Sequence, residues 1–490
     1  MRSDNLLFRS MLMLILALAM GGCGDSGNSN AALAPKVLLS IAVTPSAHSL
    51  STGQTQQFSA TGTFSDGTSQ DLTTAAAWSS TDAAVATINN AGLATAVAAG
   101  STAITATSGD VKGSTTLTVT SAAGVAGATE RNVMPVTVNG SLCSANSYPN
   151  KPCVAVTVCI PGTTTCTTIN DILLDTGSFG LRLFKQPLGL ELPAAPGASG
   201  ELAECIQFAD GTSEWGPIRM ASVTLGNEPA INIPIHVFDT SFGTRSTACL
   251  DADPDPATAG FNGILGVGLF PQDCGSRCAN AAANGMYFSC NGTSCIGTTV
   301  AVADQVKNPV AFLPQDNNGI LVRFPAVSAT GAPSVDGSLI FGIGTQPNNT
   351  PTAVKTFAVN QFGEITTVFN GVSNGSFIDS GSNGLFFPQP AQPPLPPCPS
   401  PFAAWYCPPE ELPLSATVIA AAGVPTAEIP FRVGNFLNLT ATGNRVFNNI
   451  GGPSHGNIFD WGFPFFLGRD VFIGIEGKGT NLGNGPFWAF

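Results

Sequence analysis

The chain has 490 residues, with 18 Lys and Arg against 31 Asp and Glu, a formal net charge of −13 and only 10% charged residues, well below the roughly 25% of an average soluble protein. No basic run occurs anywhere in it, which argues against a nucleic-acid-binding surface and leaves solubility as the reading of the acidity. With 55 Gly and 37 Pro, and Ser, Thr, Asn and Val recurring throughout, the composition predicts many short strands joined by turns, in two to four domains.

Residues 1–23 read as a targeting segment. Arg2 and Arg9 form a positive start, and residues 11–20 are an apolar run too short to span a bilayer comfortably. The run ends in Gly21-Gly22-Cys23, which resembles the lipobox of bacterial lipoproteins, with Met20 where that family usually carries Leu. The resemblance implies cleavage before Cys23 and acylation of that cysteine, with an ordinary secretory signal as the competing reading. Residues 24–35 are small and polar, a tether. No later stretch is apolar and long enough for a transmembrane helix, so the lipid on Cys23 is the expected membrane contact, and an exported location at the cell envelope, on the outer membrane or facing the periplasm, is expected.

Residues 36–121 form one unit. Apolar residues alternate through several short segments with Gly- and Asn-bearing turns between them, the pattern of an all-β sandwich. The strings Trp78-Ser79-Ser80-Thr81-Asp82, Val85-Ala86-Thr87-Ile88, Gly92-Leu93-Ala94-Thr95-Ala96 and Gly100-Ser101-Thr102-Ala103-Ile104 make the unit similar to the bacterial Ig-like group 2 domain, which implies a spacer or adhesion module. Residues 122–130 are a small-residue linker.

The remainder, 131–490, is strand-rich and holds twelve of the 13 cysteines. An even number in an exported chain predicts disulfides in an oxidising compartment. Cys159–Cys166, Cys290–Cys295 and Cys398–Cys407 are plausible local bridges, and the full connectivity is open. A zinc site is the weaker alternative, since no CxxC pair exists and His is scarce.

Two segments of this region mirror each other. Ile172-Leu173-Leu174 runs into Asp175-Thr176-Gly177-Ser178, and Ser376-Phe377-Ile378 runs into Asp379-Ser380-Gly381-Ser382. Gly263-Ile264-Leu265-Gly266 follows the first, with Gly266 at 266 − 175 = 91 residues from the Asp. Phe465-Phe466-Leu467-Gly468 follows the second, with Gly468 at 468 − 379 = 89. The paired spacing implies an internal repeat and two similar lobes.

On these motifs, residues 131–490 resemble the pepsin-like aspartic peptidases, as do Gly337-Ser338-Leu339-Ile340-Phe341-Gly342 and Phe466-Leu467-Gly468-Arg469-Asp470-Val471-Phe472. The resemblance implies an all-β, two-lobed β-barrel domain, with lobes at 131–325 and 326–490. It further implies Asp175 and Asp379 as paired catalytic carboxylates that share one proton and activate a water. Thr176 and Ser380 match a cross-lobe hydroxyl grip, Gly177 and Gly381 allow close backbone approach, and Ser178 and Ser382 bond the outer carboxylate oxygens. The implied activity is endopeptidase cleavage of a polypeptide in the inter-lobe cleft, by a monomer without metal or cofactor. The alternative is an inactive pepsin-like module that binds protein, peptide or glycan.

Two departures bear on turnover. The family's flap carries a Tyr, but the matching stretch 205–226 has none, leaving Phe208 or Trp215 as aromatic cover. The Trp expected after the first loop is Arg182, read as facing solvent, with an inward orientation beside Asp175 as the other option. The Pro-rich stretch 388–413 reads as a rigid cap stapled by Cys398 and Cys407, or as a surface insertion. For a Ser-His-Asp triad, His48 lies in the Ig-like unit and His236 in an apolar strand, which leaves His455, in a Gly-rich loop, as the only tolerable candidate, and no GxSxG elbow is present. Asp251, Asp253 and Asp255 read as an exposed loop rather than a calcium site.

Overall fold

The computed structural model describes residues 36–490 apart from 47, 52–54, 98–99, 121–129, 145–147, 198–199, 391–393 and 455. The targeting segment, Cys23, the tether, nearly all of the linker and His455 therefore lie outside the described residues. None of the described helices is long and apolar enough to cross a membrane.

The protein is all-β, with only short helical turns between strands. In the N-terminal unit, Leu38–Thr44, Ser59–Phe64 and Ser69–Asp71 form one sheet. Val111–Thr120, Gly100–Ser108 and Ala77–Ser80 lie in a second, four-stranded one. Alternation places every second residue of Gly100–Ser108 inward, as a strand period of two requires. The enclosed core includes Ile41, Val43, Phe58, Trp78, Ile104 and Leu117. Gly113 marks the closest approach of the sheets: a Cβ there would lie 2.1 Å from the Ile41 carbonyl oxygen.

Residues 130–490 are built on a 15-stranded and a seven-stranded sheet, and one strand arrangement occurs twice. In the first half, Cys166–Asp175 pairs in parallel with Gly263–Val267. That strand runs antiparallel to Phe179–Phe184, which is parallel to Ile231–Phe238. In the second half, Val372–Ile378 pairs in parallel with Ile458–Trp461. That strand runs antiparallel to Leu385–Phe387, which is parallel to Gly451–Pro453. Each acid-bearing strand also has an antiparallel hairpin partner, Pro152–Cys159 in one half and Ile365–Phe369 in the other. The sequence repeat is thus a repeat of topology.

The repeat does not fall where the apolar-Gly motifs placed it. Asp175 sits opposite Gly266. In the second half Ile378 sits opposite Trp461, and the Asp379 N–H donates to the Trp461 carbonyl (3.0 Å), so the counterpart of Gly266 is Gly462. Gly468 follows the turn Phe463–Phe466 and leads into Asp470–Gly474, a strand of the large sheet beside Gly319–Arg323. The neighbouring strands agree with this correction: Leu181, six residues after Asp175, sits opposite Leu265, and Leu385, six after Asp379, sits opposite Trp461.

The twelve cysteines pair as Cys143–Cys153, Cys159–Cys166, Cys205–Cys249, Cys274–Cys278, Cys290–Cys295 and Cys398–Cys407. The three local bridges read from the sequence are among them.

Asn150 ties the halves together. It is fully buried with φ 59. Its side-chain amide donates to the Asn383 and Phe447 carbonyls (both 2.9 Å), and its side-chain oxygen accepts from Phe447 N (2.7 Å). Asn tolerates this left-handed backbone better than most residues. Asn150→Ala is expected to lower stability by about 2–3 kcal/mol, because buried groups on the opposite half lose their partners. A shift of the denaturant midpoint checks this, and an unchanged midpoint would refute it.

Candidate active site

Apolar strands with side chains alternating in and out deliver both acid loops to one place. Asp175 ends Cys166–Asp175 and Asp379 follows Val372–Ile378. Their loops are locked by a reciprocal grip. Thr176 N donates to Ser380 Oγ (3.1 Å), and Ser380 N donates to Thr176 Oγ1 (2.9 Å). The Thr176 hydroxyl donates onward to Ile378 O (2.9 Å), and the Ser380 hydroxyl to Leu174 O (2.7 Å). Both residues are fully buried, so each hydroxyl spends its donor on the backbone of the other half. Thr and Ser serve equally here because only the Oγ is used.

The carboxyls are held symmetrically. Asp175 Oδ1 accepts from Gly177 N (2.8 Å) and Ser178 N (3.2 Å), and Asp175 Oδ2 from Ser178 Oγ (2.5 Å). Asp379 Oδ1 accepts from Gly381 N (2.7 Å), and Asp379 Oδ2 from Ser382 Oγ (2.8 Å). The tip of each acid loop lies against the carboxyl of the other: a Cβ built on Gly381 would lie 3.0 Å from Asp175 Cγ and 3.1 Å from Asp379 Oδ1. Glycine lets the loops meet: a Cβ on Gly177 would collide with Asp379 Cγ at 2.6 Å, and the one on Gly381 would press on Asp175. All eight residues singled out in the two loops therefore converge on one point.

Burial, followed by the charge of Asp175, holds the Asp379 carboxyl well above the ordinary carboxylate range. Two acids this close cannot both ionise cheaply, so one proton stays between them.

The two aromatic flap candidates separate. Phe208 N donates to Thr212 O at the tip of the hairpin formed by Glu201–Gln207 and Ser213–Leu225. The Phe208 side chain joins Leu173, Phe184, Phe238, Phe261 and Ile264 in an apolar cluster. Leu173 precedes Asp175 by two residues on the same strand, hence on the same face, so this cluster flanks the acids. Trp215 cannot cover a cleft. It is fully buried, packs against Phe288, and donates its indole N–H to Phe242 O (2.7 Å).

Arg182 neither faces solvent nor pairs with Asp175. It is fully buried, with Nη2 2.9 Å from both Glu204 Oε1 and Asp273 Oδ2. The Tyr287 hydroxyl donates to Asp273 Oδ1 (2.8 Å) and accepts from Val306 N (2.8 Å). Burial, then the Glu204 charge, pushes the Asp273 carboxyl well up, whereas the Arg182 charge leads the effects that leave Glu204 low despite its burial. His236 lies beside this cluster, pushed down to about 4 by burial. It is neutral at ordinary pH, buried in the core and packed edge-on against Phe238, as its apolar strand context implied.

The Pro-rich stretch packs onto the second acid loop. Trp405 stacks on Phe436 (centroids 4.3 Å apart), and a Cβ on Gly384 would lie 2.6 Å from the Trp405 ring. The fully buried Tyr406 donates to Phe387 O (3.1 Å). The stretch is therefore a cap beside Ser382–Gly384.

Two site residues escaped the sequence reading. The Tyr148 phenol is pushed above its ordinary range by burial and then by the charges of Asp171, Asp175 and Asp379, which places it within electrostatic reach of the acid pair. No motif marks its loop. Asp460 is a third buried carboxyl, opposite Phe377 on the strand next to Asp379. The signal for it was the Asp-Trp-Gly string, passed over for the more apolar Phe466-Leu467-Gly468.

Glu214 lies outside this site. It is buried with Oε2 unpartnered, and burial followed by the Asp253 charge raises its carboxyl to about 9. The folded protein keeps this proton where the unfolded chain releases it, so the stability linked to Glu214 is lost as pH climbs from about 4.5 to about 9. Glu214→Gln is expected to be more stable than wild type by up to about 5 kcal/mol near pH 8 and equal to it near pH 4. Melting curves at both pH values test this, and a gain independent of pH would contradict it.

Together, fold and site define an all-β protein in which a β-sandwich precedes a duplicated β-domain with two interlocked acid loops. Residues 38–119 match the bacterial Ig-like domain (group 2). Residues 128–490 match the family described as a protein of unknown function (DUF3443), and the chain belongs to that family. The chain is also similar to Ice-binding protein 1 of Shewanella frigidimarina (strain NCIMB 400), 48% identical over 126 residues, which is 25% of this chain and 14% of that protein. The match thus spans only a small part of that relative's length.

Proposed function

We propose that residues 131–490 are a two-lobed, pepsin-like aspartic endopeptidase, with lobes at 131–325 and 326–490 and Asp175 and Asp379 as its catalytic carboxyls. The observation that carries this reading is that the two acid loops meet tip to tip, each carboxyl with the glycine of the opposite loop against it. The duplicated strand arrangement and the reciprocal Thr176–Ser380 grip support it.

In this mechanism Asp379 holds the shared proton and Asp175 supplies the basic oxygen. A water between them gives its proton to Asp175 and attacks the substrate carbonyl. Asp379 donates its proton to the developing oxyanion, and a proton then passes to the leaving nitrogen. Ser178 and the two glycine N–H groups orient the carboxyls. The apolar cluster around Phe208 and Phe261 suits a large apolar side chain next to the cleaved bond. Six disulfides fit an oxidising, exported location, with the lipid on Cys23 as the membrane attachment and the Ig-like unit as spacer.

A second reading, an inactive module that binds polypeptide or glycan in the same cleft, is favoured by the flap: its tip carries Phe208 in place of a phenol, and Trp215 is turned into the core. Incubation with denatured protein between about pH 2 and 7, with and without pepstatin, separates the two. Pepstatin-sensitive cleavage is expected, and no cleavage anywhere in that range hands the site to the binding reading.

A further inference from the structure

A buried polar layer lies between the hairpin that bears Phe208 and the strands beneath it. Arg182 and His236 are direct neighbours on the base strands Phe179–Phe184 and Ile231–Phe238. Glu204 and Tyr287 are direct neighbours on Glu201–Gln207 and Tyr287–Asn291, in the hairpin layer. Arg182 and Glu204 are three strands apart in the sheet order, about 14 Å in a flat sheet. Their 2.9 Å contact, and that of Phe208 with the cluster holding Phe184 and Phe238, require the hairpin to fold back over the base. The strand Ser213–Leu225 makes the fold: its first residues pair with the hairpin, and those from Ile218 onward with Ile231–Phe238. His236 is the residue opposite Ile218, so it sits where the hairpin leaves the base.

His236 is the unsatisfied member of this layer. It is wholly buried, and neither ring nitrogen has a hydrogen-bond partner. Glu204 Oε2, 3.4 Å from its Nδ1, is also buried and unpartnered. Arg182 spends its guanidinium elsewhere: Nη1 donates to Phe179 O (2.5 Å), and Nη2 to Glu204 Oε1 and Asp273 Oδ2 (both 2.9 Å). Tyr287 closes the layer on Asp273. Ile218 and Phe238, the other neighbours of the ring, are apolar. The charged and titratable groups around the imidazole are therefore Arg182 from the base, Glu204 and Tyr287 from the hairpin layer, and Asp273 from its loop.

We propose that His236 is an acid-sensitive latch: as a neutral ring it lets the hairpin layer lie on the base strands, and on taking a proton it loosens that layer and frees the hairpin bearing Phe208. Its meaning, control of access to Asp175 and Asp379, rests on the peptidase reading. The pH-dependent opening itself does not.

A proton on His236 makes a second cation beside Arg182, in a place with no water to solvate it. The Glu204 carboxylate offsets part of that cost. Burial is the larger effect and pushes the closed imidazole down to about 4, with Glu204 opposing and the Arg182 charge adding to it. A lifted hairpin gives the ring to water, where it takes its proton near 6.5, the ordinary value. The closed form is therefore favoured fully above about pH 6.5, and that preference is lost as pH falls from about 6.5 to about 4. The hairpin is the side that yields, because the other side of the ring is the strand Phe179–Phe184, which Gly263–Val267 pairs along its length.

The test is amide hydrogen exchange of the full chain, corrected for the intrinsic exchange rate, on wild type and His236→Leu, with His236→Met as the second variant should the first fold poorly. Protection of Glu201–Gln207 and Tyr287–Asn291 in wild type is expected to fall about tenfold or more between about pH 7 and about pH 4.5. In the variants, which have no ring to protonate, it should stay level. Val372–Ile378, in the second half, is the reference and should keep its protection throughout. Wild-type protection that does not fall overturns the proposal, as does an equal fall in the variants. An equal fall in Val372–Ile378 also overturns it, because the whole domain would then be loosening. Peptide hydrolysis is followed in parallel. A chain whose hairpin opens through His236 but which cleaves nothing keeps the latch and removes the peptidase reading. One that cleaves while its hairpin protection ignores pH does the reverse.

Discussion

Asp175→Asn is expected to reduce acid peptide hydrolysis by about a hundred- to ten-thousand-fold, the range that a positioned acid or base contributes. The amide retains the acceptor for Gly177 N and Ser178 N, so the loop keeps its shape. It cannot take the proton of the attacking water. Asp379→Asn should cost as much for the complementary reason, since an amide is neutral like the protonated acid but cannot deliver its proton. Neither change should lower stability, because each removes one of two carboxyls that repel when ionised. The pair of measurements is a rate on a quenched peptide near pH 4 and a melting temperature. A rate within about tenfold of wild type in either variant would remove that acid from the chemistry. A collapse of melting temperature would show that the loss of rate reflects unfolding.

The largest expected effect on stability comes from Arg182→Leu, about 3–5 kcal/mol, the cost of leaving a buried charge without its partner. Arg182 balances Glu204, which is wholly buried, while burial and the Glu204 charge push the Asp273 carboxyl well up. One uncompensated carboxylate therefore remains in the variant. Glu204→Gln placed on top should recover most of the loss, because the amide brings no charge into the interior. Urea denaturation of the single and double variants measures this. If the double variant is no more stable than Arg182→Leu alone, lost packing around the guanidinium is responsible rather than the orphaned charge. The cluster holds the strand Phe179–Phe184, which follows the first acid loop, to the hairpin strand Glu201–Gln207, so its loss should also loosen the hairpin bearing Phe208.

These expectations rest unequally on sequence and structure. The acid loops were legible because their requirements are local: an apolar strand, a carboxyl, a hydroxyl, a glycine that admits the neighbouring carboxyl, and a serine three residues on. The sandwich was legible because alternation with period two and turn residues specify it over short windows. Arg182 was misread because a lone arginine beside a strand gives no sign of its partners, which lie 22 and 91 residues away. The second crossing strand was misread because Asp460 interrupts the apolar-apolar-glycine pattern, and Phe466-Leu467-Gly468 matches that pattern better. Trp215 was offered as a cleft cover on hydrophobicity alone, and hydrophobicity cannot distinguish a residue above a cleft from one in the core beneath it.

Short-range chemistry along the chain was thus enough to establish an all-β protein, an Ig-like unit ahead of a duplicated domain, and two matched acid loops. Packing alone decided which glycine faces Asp379, that Arg182 is paired and buried, and that a third carboxyl stands behind the pair. The reason is one of range. Strand formation and loop shape depend on a few adjacent residues, whereas burial and the sharing of a proton depend on groups brought together from hundreds of residues apart, such as Thr176 and Ser380, separated by 204 positions.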